Sequence, residues 1–122
     1  MARVPYARLS VLILYVVVMV LATHWPDIDR YAPAGVRGLP HVDKCVHVAL
    51  YFVWTVLWIW VLSSRGRRPS WKARVALLAG GVAWAAADEL TQGLAGRHPA
   101  LSDFLADAVG LTIGQVAWAT WS

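Results

Sequence analysis

Four apolar stretches, 9–25, 46–62, 75–87 and 104–121, set the terms on which this chain folds. A helix needs roughly 17–25 residues to cross the hydrocarbon layer of a bilayer. The first, second and fourth stretches reach that length directly; the third does so if its ends extend to about residues 73 and 90. Lipid offers the backbone no hydrogen-bond partners, so segments of this length and character must be helical. Pro26, Pro33, Pro40, Pro69 and Pro99 all fall between the stretches, where helix breakers belong. The expectation is a single all-α domain over residues 1–122. It is a polytopic membrane protein, a four-transmembrane-helix bundle with spans at about 9–25, 46–62, 73–90 and 103–121.

Composition points the same way. Hydrophobic residues make up 59% of the chain and charged residues 15%, against about a quarter charged in an ordinary soluble domain. The net charge of +4 comes with no basic helix and no aromatic-basic repeat, so nucleic acid is not an expected partner. Cys45 is the sole cysteine; it permits no intramolecular disulfide and is expected to pack as a small hydrophobe. Arg3, Arg8 and Val20-Leu21-Ala22 give the first stretch some features of a cleavable signal peptide. Its apolar run is long for that purpose and the cleavage site imperfect, so a retained helix is expected.

The basic residues supply an orientation. The segment SSRGRRPSWKAR at 63–74 carries Arg65, Arg67, Arg68, Lys72 and Arg74 without an acid, and Arg3 and Arg8 precede the first stretch. Lys and Arg near span ends stay in the cytoplasm, so both termini and this loop are expected inside. Trp60, Trp71, Trp118 and Trp121 fall at the same level, as an interfacial aromatic belt would. The loop is topogenic first, with anionic lipid as a secondary partner. All seven acids and all four histidines (His24, His41, His47 and His98) then fall on the opposite, extracytoplasmic side. Acids contribute little to topology, so their segregation needs a separate reason.

Helical spacing supplies one. Asp43, His47 and Tyr51 stand at i, i+4 and i+8 and share a face, with Lys44 beside them. Asp88 and Gln92 are four apart and Glu89 and Gln92 three apart at the exit of the third stretch. Asp103 and Asp107 open the fourth, and Gly110 and Gly114 continue their face as a small-xxx-small pattern that lets another helix approach closely. At about 1.5 Å per residue, His47 and Asp107 lie roughly 6 Å deeper than Asp43 and Asp103. Ionisable groups at such depth are costly, and short carboxylates cannot snorkel out, so they are expected to face inward and pair with Lys44 and Arg97. Ser102 reads as an N-cap, with Asp103 favoured by the helix dipole. Asp27 and Asp29 read as solvated loop residues.

These residues resemble the VanZ-like family of membrane proteins, named for a protein associated with teicoplanin resistance. The resemblance rests on DKCVHVALY at 43–51, similar to D-K-x-x-H-x-x-x-Y, and on DELTQGLAGRHPALSDFLADAVGLTIG at 88–114. The second segment is similar to D-E-x-x-Q, a G-R, a D, an N or D, and two glycines four apart. The order of these pieces and the four-stretch layout extend the resemblance over nearly the whole chain. Carried over, the family positions are Asp43, Lys44, His47, Tyr51, Asp88, Glu89, Gln92, Arg97, Asp103, Asp107, Gly110 and Gly114. Asp107 departs from the commonest form, in which asparagine often occurs, and adds a negative charge. The resemblance implies a multi-pass protein of the bacterial cytoplasmic (inner) membrane with its polar site outside.

Three functions suit such a cluster. The favoured one is binding of an envelope ligand: a lipid, a lipid-linked precursor or a glycopeptide antibiotic. Asp43, Lys44, His47, Tyr51, Asp88, Glu89, Gln92, Arg97, Asp103 and Asp107 would line the site, with Lys44 and Arg97 gripping phosphate or carboxylate. Next is a membrane enzyme acting on an envelope lipid, with His47 or Glu89 as general base. The third is a purely structural or partner-binding role, in which the polar groups lock the helices together. The cofactor stays open. A divalent metal would use Asp88, Glu89, Asp103 and Asp107, but no dense ligand motif of the HExxH kind occurs, so metal is not favoured. Membrane lipids are the expected partners, and the sequence specifies no oligomeric state.

Overall fold

A computed structural model describes residues 5–25, 28–36, 39, 41–63, 66–96 and 98–121. Arg3, Pro26, Asp27, Pro40, Arg65 and Arg97, all used above, lie outside the described residues, as do the side chains of Asp29 and Trp121. Four long helices account for most of the structure: α1 (Tyr6–His24), α2 (Val42–Leu62), α3 (Trp71–Gln92) and α4 (Leu101–Trp121). Short 3-10 turns follow α1 at Ile28–Tyr31 and α3 at Gly93–Ala95, and no strand occurs among the described residues. The all-α expectation holds. Two of the helices, α1 and α2, are long and apolar enough to cross a membrane.

The helix ends follow from local chemistry. α3 extends well beyond the apolar run 75–87 because Ser70 caps it, its Oγ accepting from Ala73 N at 3.2 Å. At the other end, Gly96 takes φ 81°, a left-handed turn that glycine adopts without steric cost. The expected cap of α4 moves by two residues. Ser102 lies inside the helix, and the Ala100 carbonyl accepts the first helical bonds, from Asp103 N at 3.0 Å and Phe104 N at 3.3 Å. A serine hydroxyl is therefore not what starts α4; a carboxylate from α3 does that work, as described below.

α1 and α3 run in one direction and α2 and α4 in the other. At one end Arg8 of α1 donates to the Trp60 carbonyl of α2 at 2.9 Å, and its guanidinium lies 5.0 Å over the Trp60 ring. Near the same end Arg74 of α3 grips Gln115 of α4, Nε to Oε1 at 2.9 Å and Nη2 to the carbonyl at 2.5 Å. The middle of the bundle is apolar, with Met19, Tyr51, Trp54, Ala85 and Leu111 packed as one cluster. Among the described residues, the buried carboxylates lie at the far end, in Asp88, Glu89, Asp103 and Asp107.

α2 and α4 form the closest seam, and glycine makes it. A Cβ on Gly110 would run into the Val48 carbonyl oxygen, and one on Gly114 would stand 2.7 Å from Thr55 Cβ. Gly81 does the same for α3, where a Cβ would meet Leu111 at 2.7 Å and Trp54 at 3.0 Å. The small-xxx-small face read from the sequence therefore brings α4 onto α2 at backbone distance. Cys45 is exposed rather than packed, because its position on α2 turns it away from the seam that buries His47.

Candidate functional site

The seam between α2 and α4 carries a polar ladder that deepens by one turn at each rung. In the first rung Lys44 Nζ lies 2.6 Å from Asp43 and is also paired with Asp103 of α4. One turn deeper, His47 Nδ1 stands 2.7 Å from Asp107 Oδ1, with both residues buried and Asp107 fully so. His47 Nε2 is 3.7 Å from Asp103 Oδ2, so the ring is bracketed by carboxylates at both nitrogens. Asp and His one turn apart on two helices held together by glycine is the geometry that places these side chains face to face.

α3 contributes the third wall. Glu89 points toward α4: its Oε1 accepts from Ala100 N at 2.6 Å. That N–H is a free donor at the start of α4, and a carboxylate there also meets the positive end of the helix dipole. Donor atoms of His47, Glu89 and Asp107 all lie within 4.8 Å of one another, and all three residues are buried. Glu89 Oε2 and Asp107 Oδ2 are buried with no hydrogen-bond partner among the described residues.

Asp88 belongs to a different cluster. Adjacent residues on a helix point about 100° apart, so Asp88 and Glu89 serve two adjoining faces of α3. Asp88 accepts from Tyr51 Oη at 3.1 Å, Thr23 Oγ1 at 3.2 Å and Gln92 Nε2 at 3.4 Å. His24 of α1 has Nδ1 3.5 Å from Asp88 and Nε2 2.8 Å from Thr91 Oγ1. This cluster lines one end of a groove between α1 and α3, whose walls are Val20, Trp84 and Ala87 and whose end is His24, Asp88 and Thr91.

Nine of the ten residues singled out from the sequence lie at this end of the bundle, divided between two clusters: Asp43, Lys44, His47, Glu89, Asp103 and Asp107 in one, and Tyr51, Asp88 and Gln92 in the other. Arg97 lies outside the described residues. Two details differ from expectation. The shared face of Asp43, His47 and Tyr51 is buried at His47 and Tyr51, but the Asp43 side chain is 55% exposed and reaches only Lys44. The four acids proposed for a metal also do not converge, since Asp88 turns to α1 and α2 and Asp103 is held by Lys44 one turn nearer the surface. Sequence reasoning missed Thr23, His24 and Thr91 as site residues. Their signal was a Thr-His pair closing an otherwise apolar helix.

Fold and site together define an all-helical bundle with an apolar middle and a buried acid–histidine cluster at one end. Compared with known proteins, the chain matches no family model, no curated protein and no solved structure.

Proposed function

We propose that this is a small multi-pass protein of the bacterial cell envelope, VanZ-like, with four helices in the cytoplasmic membrane and both termini inside. Its polar end binds an envelope amphiphile: a lipid, a lipid-linked precursor or a glycopeptide antibiotic. Membrane embedding is supported by α1 and α2, and by outward-facing apolar side chains on the others, such as Val75 on α3 and Ile113 and Val116 on α4. α3 and α4 are as long as α2; their acids, which lower their apolar character, turn inward and are partnered.

The observation that carries the ligand reading is the groove between α1 and α3. Its sides are apolar (Val20, Trp84, Ala87) and its end is polar (His24, Asp88, Thr91). Such a groove fits an acyl or prenyl chain along its length and a head group at its end. The chemistry of that end selects among head groups. Lys44 is engaged by Asp43 and Asp103 on the α2–α4 seam, and among the described residues no Lys or Arg lines the groove. Asp88 is buried and already accepts from Thr23, Tyr51 and Gln92, so the open groups at that end are His24 and Thr91, and a head group rich in hydroxyls or carrying an amine matches them.

A second reading, catalysis on an envelope lipid, is favoured by one feature. His47 is oriented by Asp107 at 2.7 Å beside a buried carboxylate, Glu89, which is the arrangement of a positioned general base.

The test replaces His24, His47 and Glu89 singly by alanine in a bacterial host and measures folding yield, glycopeptide susceptibility and lipid extracts. Variants that fold and lose the phenotype support a site. Loss of folding in all three supports a locked bundle without a ligand. A changed lipid that disappears in the His47 and Glu89 variants selects the catalytic reading.

A further inference from the structure

We infer that His47, Glu89 and Asp107 form a binding site for one divalent transition-metal ion, at the meeting point of α2, α3 and α4. This goes beyond the envelope-ligand reading and does not depend on it, since the groove between α1 and α3 is lined by none of these three residues.

Three observations carry it independently. The donor atoms of the three side chains lie within 4.8 Å of one another and all three residues are buried. Ligand atoms about 2.1 Å from a common metal stand roughly 3–3.5 Å apart, so closing the set takes a movement of about an ångström, within reach of a glutamate side chain. The 2.7 Å between His47 Nδ1 and Asp107 Oδ1 is already near the spacing of two neighbouring ligands.

The second observation is the pair of orphaned oxygens. Glu89 Oε2 and Asp107 Oδ2 are shut away from solvent without a hydrogen-bond partner among the described residues. Glu89 is 6% exposed and Asp107 fully buried. A buried carboxylate oxygen is costly unless something positive or protic meets it. Two such carboxylates beside each other add mutual repulsion, which a cation between them removes.

The third is the surrounding shell. Glu89 is held by Ala100 N at 2.6 Å, and Asp103, fixed by Lys44, stands 3.7 Å from His47 Nε2. Metal-binding side chains are characteristically oriented in this way by a second layer of hydrogen bonds. One imidazole and two carboxylates suit zinc, manganese or ferrous iron better than calcium or magnesium, whose preference is for oxygen alone. Three protein ligands leave a coordination position open for water or a ligand oxygen.

The experiment uses the full chain in detergent micelles, stripped with a chelator and titrated with Co²⁺ and Zn²⁺. The expected result is one ion per chain, a cobalt absorption spectrum of low coordination number, and affinity weakened at least about tenfold by Glu89→Gln and by Asp107→Asn. His98→Ala, which removes an exposed histidine, leaves the affinity unchanged. Zinc-edge X-ray absorption on the wild type needs no variant to fold: one imidazole with oxygen ligands supports the site, while sulfur or several imidazoles overturn it. A folded wild-type protein that takes up no Co²⁺ or Zn²⁺ overturns it too. Uptake undiminished by Glu89→Gln and Asp107→Asn also contradicts it. Lipid retention by the chelated protein reports separately on the envelope-ligand reading.

Discussion

His47 and Asp107, sixty residues apart, face each other across the α2–α4 seam with Nδ1 2.7 Å from Oδ1, in a place where neither meets solvent. Breaking such a pair from one side strands the other partner, which costs about 3–5 kcal/mol when the groups are charged. His47→Ala and Asp107→Ala should each lower stability by a large part of that range. The double variant should cost less than their sum, by about 0.5–3 kcal/mol, because it strands nothing. Reversible unfolding in mixed micelles followed by circular dichroism measures all four corners of the cycle; strict additivity would mean that the contact carries no energy.

The seam itself depends on the absence of a side chain at Gly110. A methyl there meets the Val48 carbonyl oxygen, a backbone atom that cannot turn aside. Gly110→Ala should destabilise by about 1–3 kcal/mol through overpacking, whereas Gly80→Ala, where no atom lies within 4 Å, should be neutral or mildly favourable. The comparison is a pair of unfolding curves under one condition.

Tyr51 ties α2 to α3 through Asp88 at 3.1 Å and is completely buried. Tyr51→Phe keeps the ring and removes the donor, so it should cost about 1–3 kcal/mol while leaving the His47–Asp107 rung in place. Hydrogen exchange that weakens at the end of α3 but not at the start of α4 would match this; a uniform loss of protection would not.

How far the sequence foretold this depended on which interactions were local. Asp43, His47 and Tyr51, and Asp103, Asp107, Gly110 and Gly114, were legible because helical periodicity alone puts each set on one face. The extension of α3 beyond 75–87 was legible too, from the length that a span needs, while the Ser70 cap that starts it was not read. What periodicity could not give was phase between helices. Asp88 and Glu89 are neighbours in the chain and look like one acidic pair, yet they serve two different clusters. Thr23 and His24 close an otherwise apolar helix, but their role follows from where α1 packs. The start of α4 was misplaced because its first N–H is met by Glu89 from another helix rather than by Ser102.

Cys45 offers a direct reading of orientation, since it is the sole cysteine and is exposed near the start of α2. A membrane-impermeant maleimide should label it in intact cells whose outer layers admit the reagent. In a Cys45→Ser background, Arg68→Cys in the basic segment should be labelled only after permeabilisation. The reverse pattern would place the polar end in the cytoplasm.

The central claim is that the groove between α1 and α3 holds an amphiphile whose head reaches His24, Asp88 and Thr91. Ala87 lines that groove and faces outward, so Ala87→Trp fills it without touching the hydrogen bonds of Asp88. Native mass spectrometry of the protein released gently from membranes measures occupancy directly. The account predicts a defined lipid or lipid-linked adduct on the wild type that is lost in a folded Ala87→Trp variant; the same adducts in the same proportion on both proteins would contradict it.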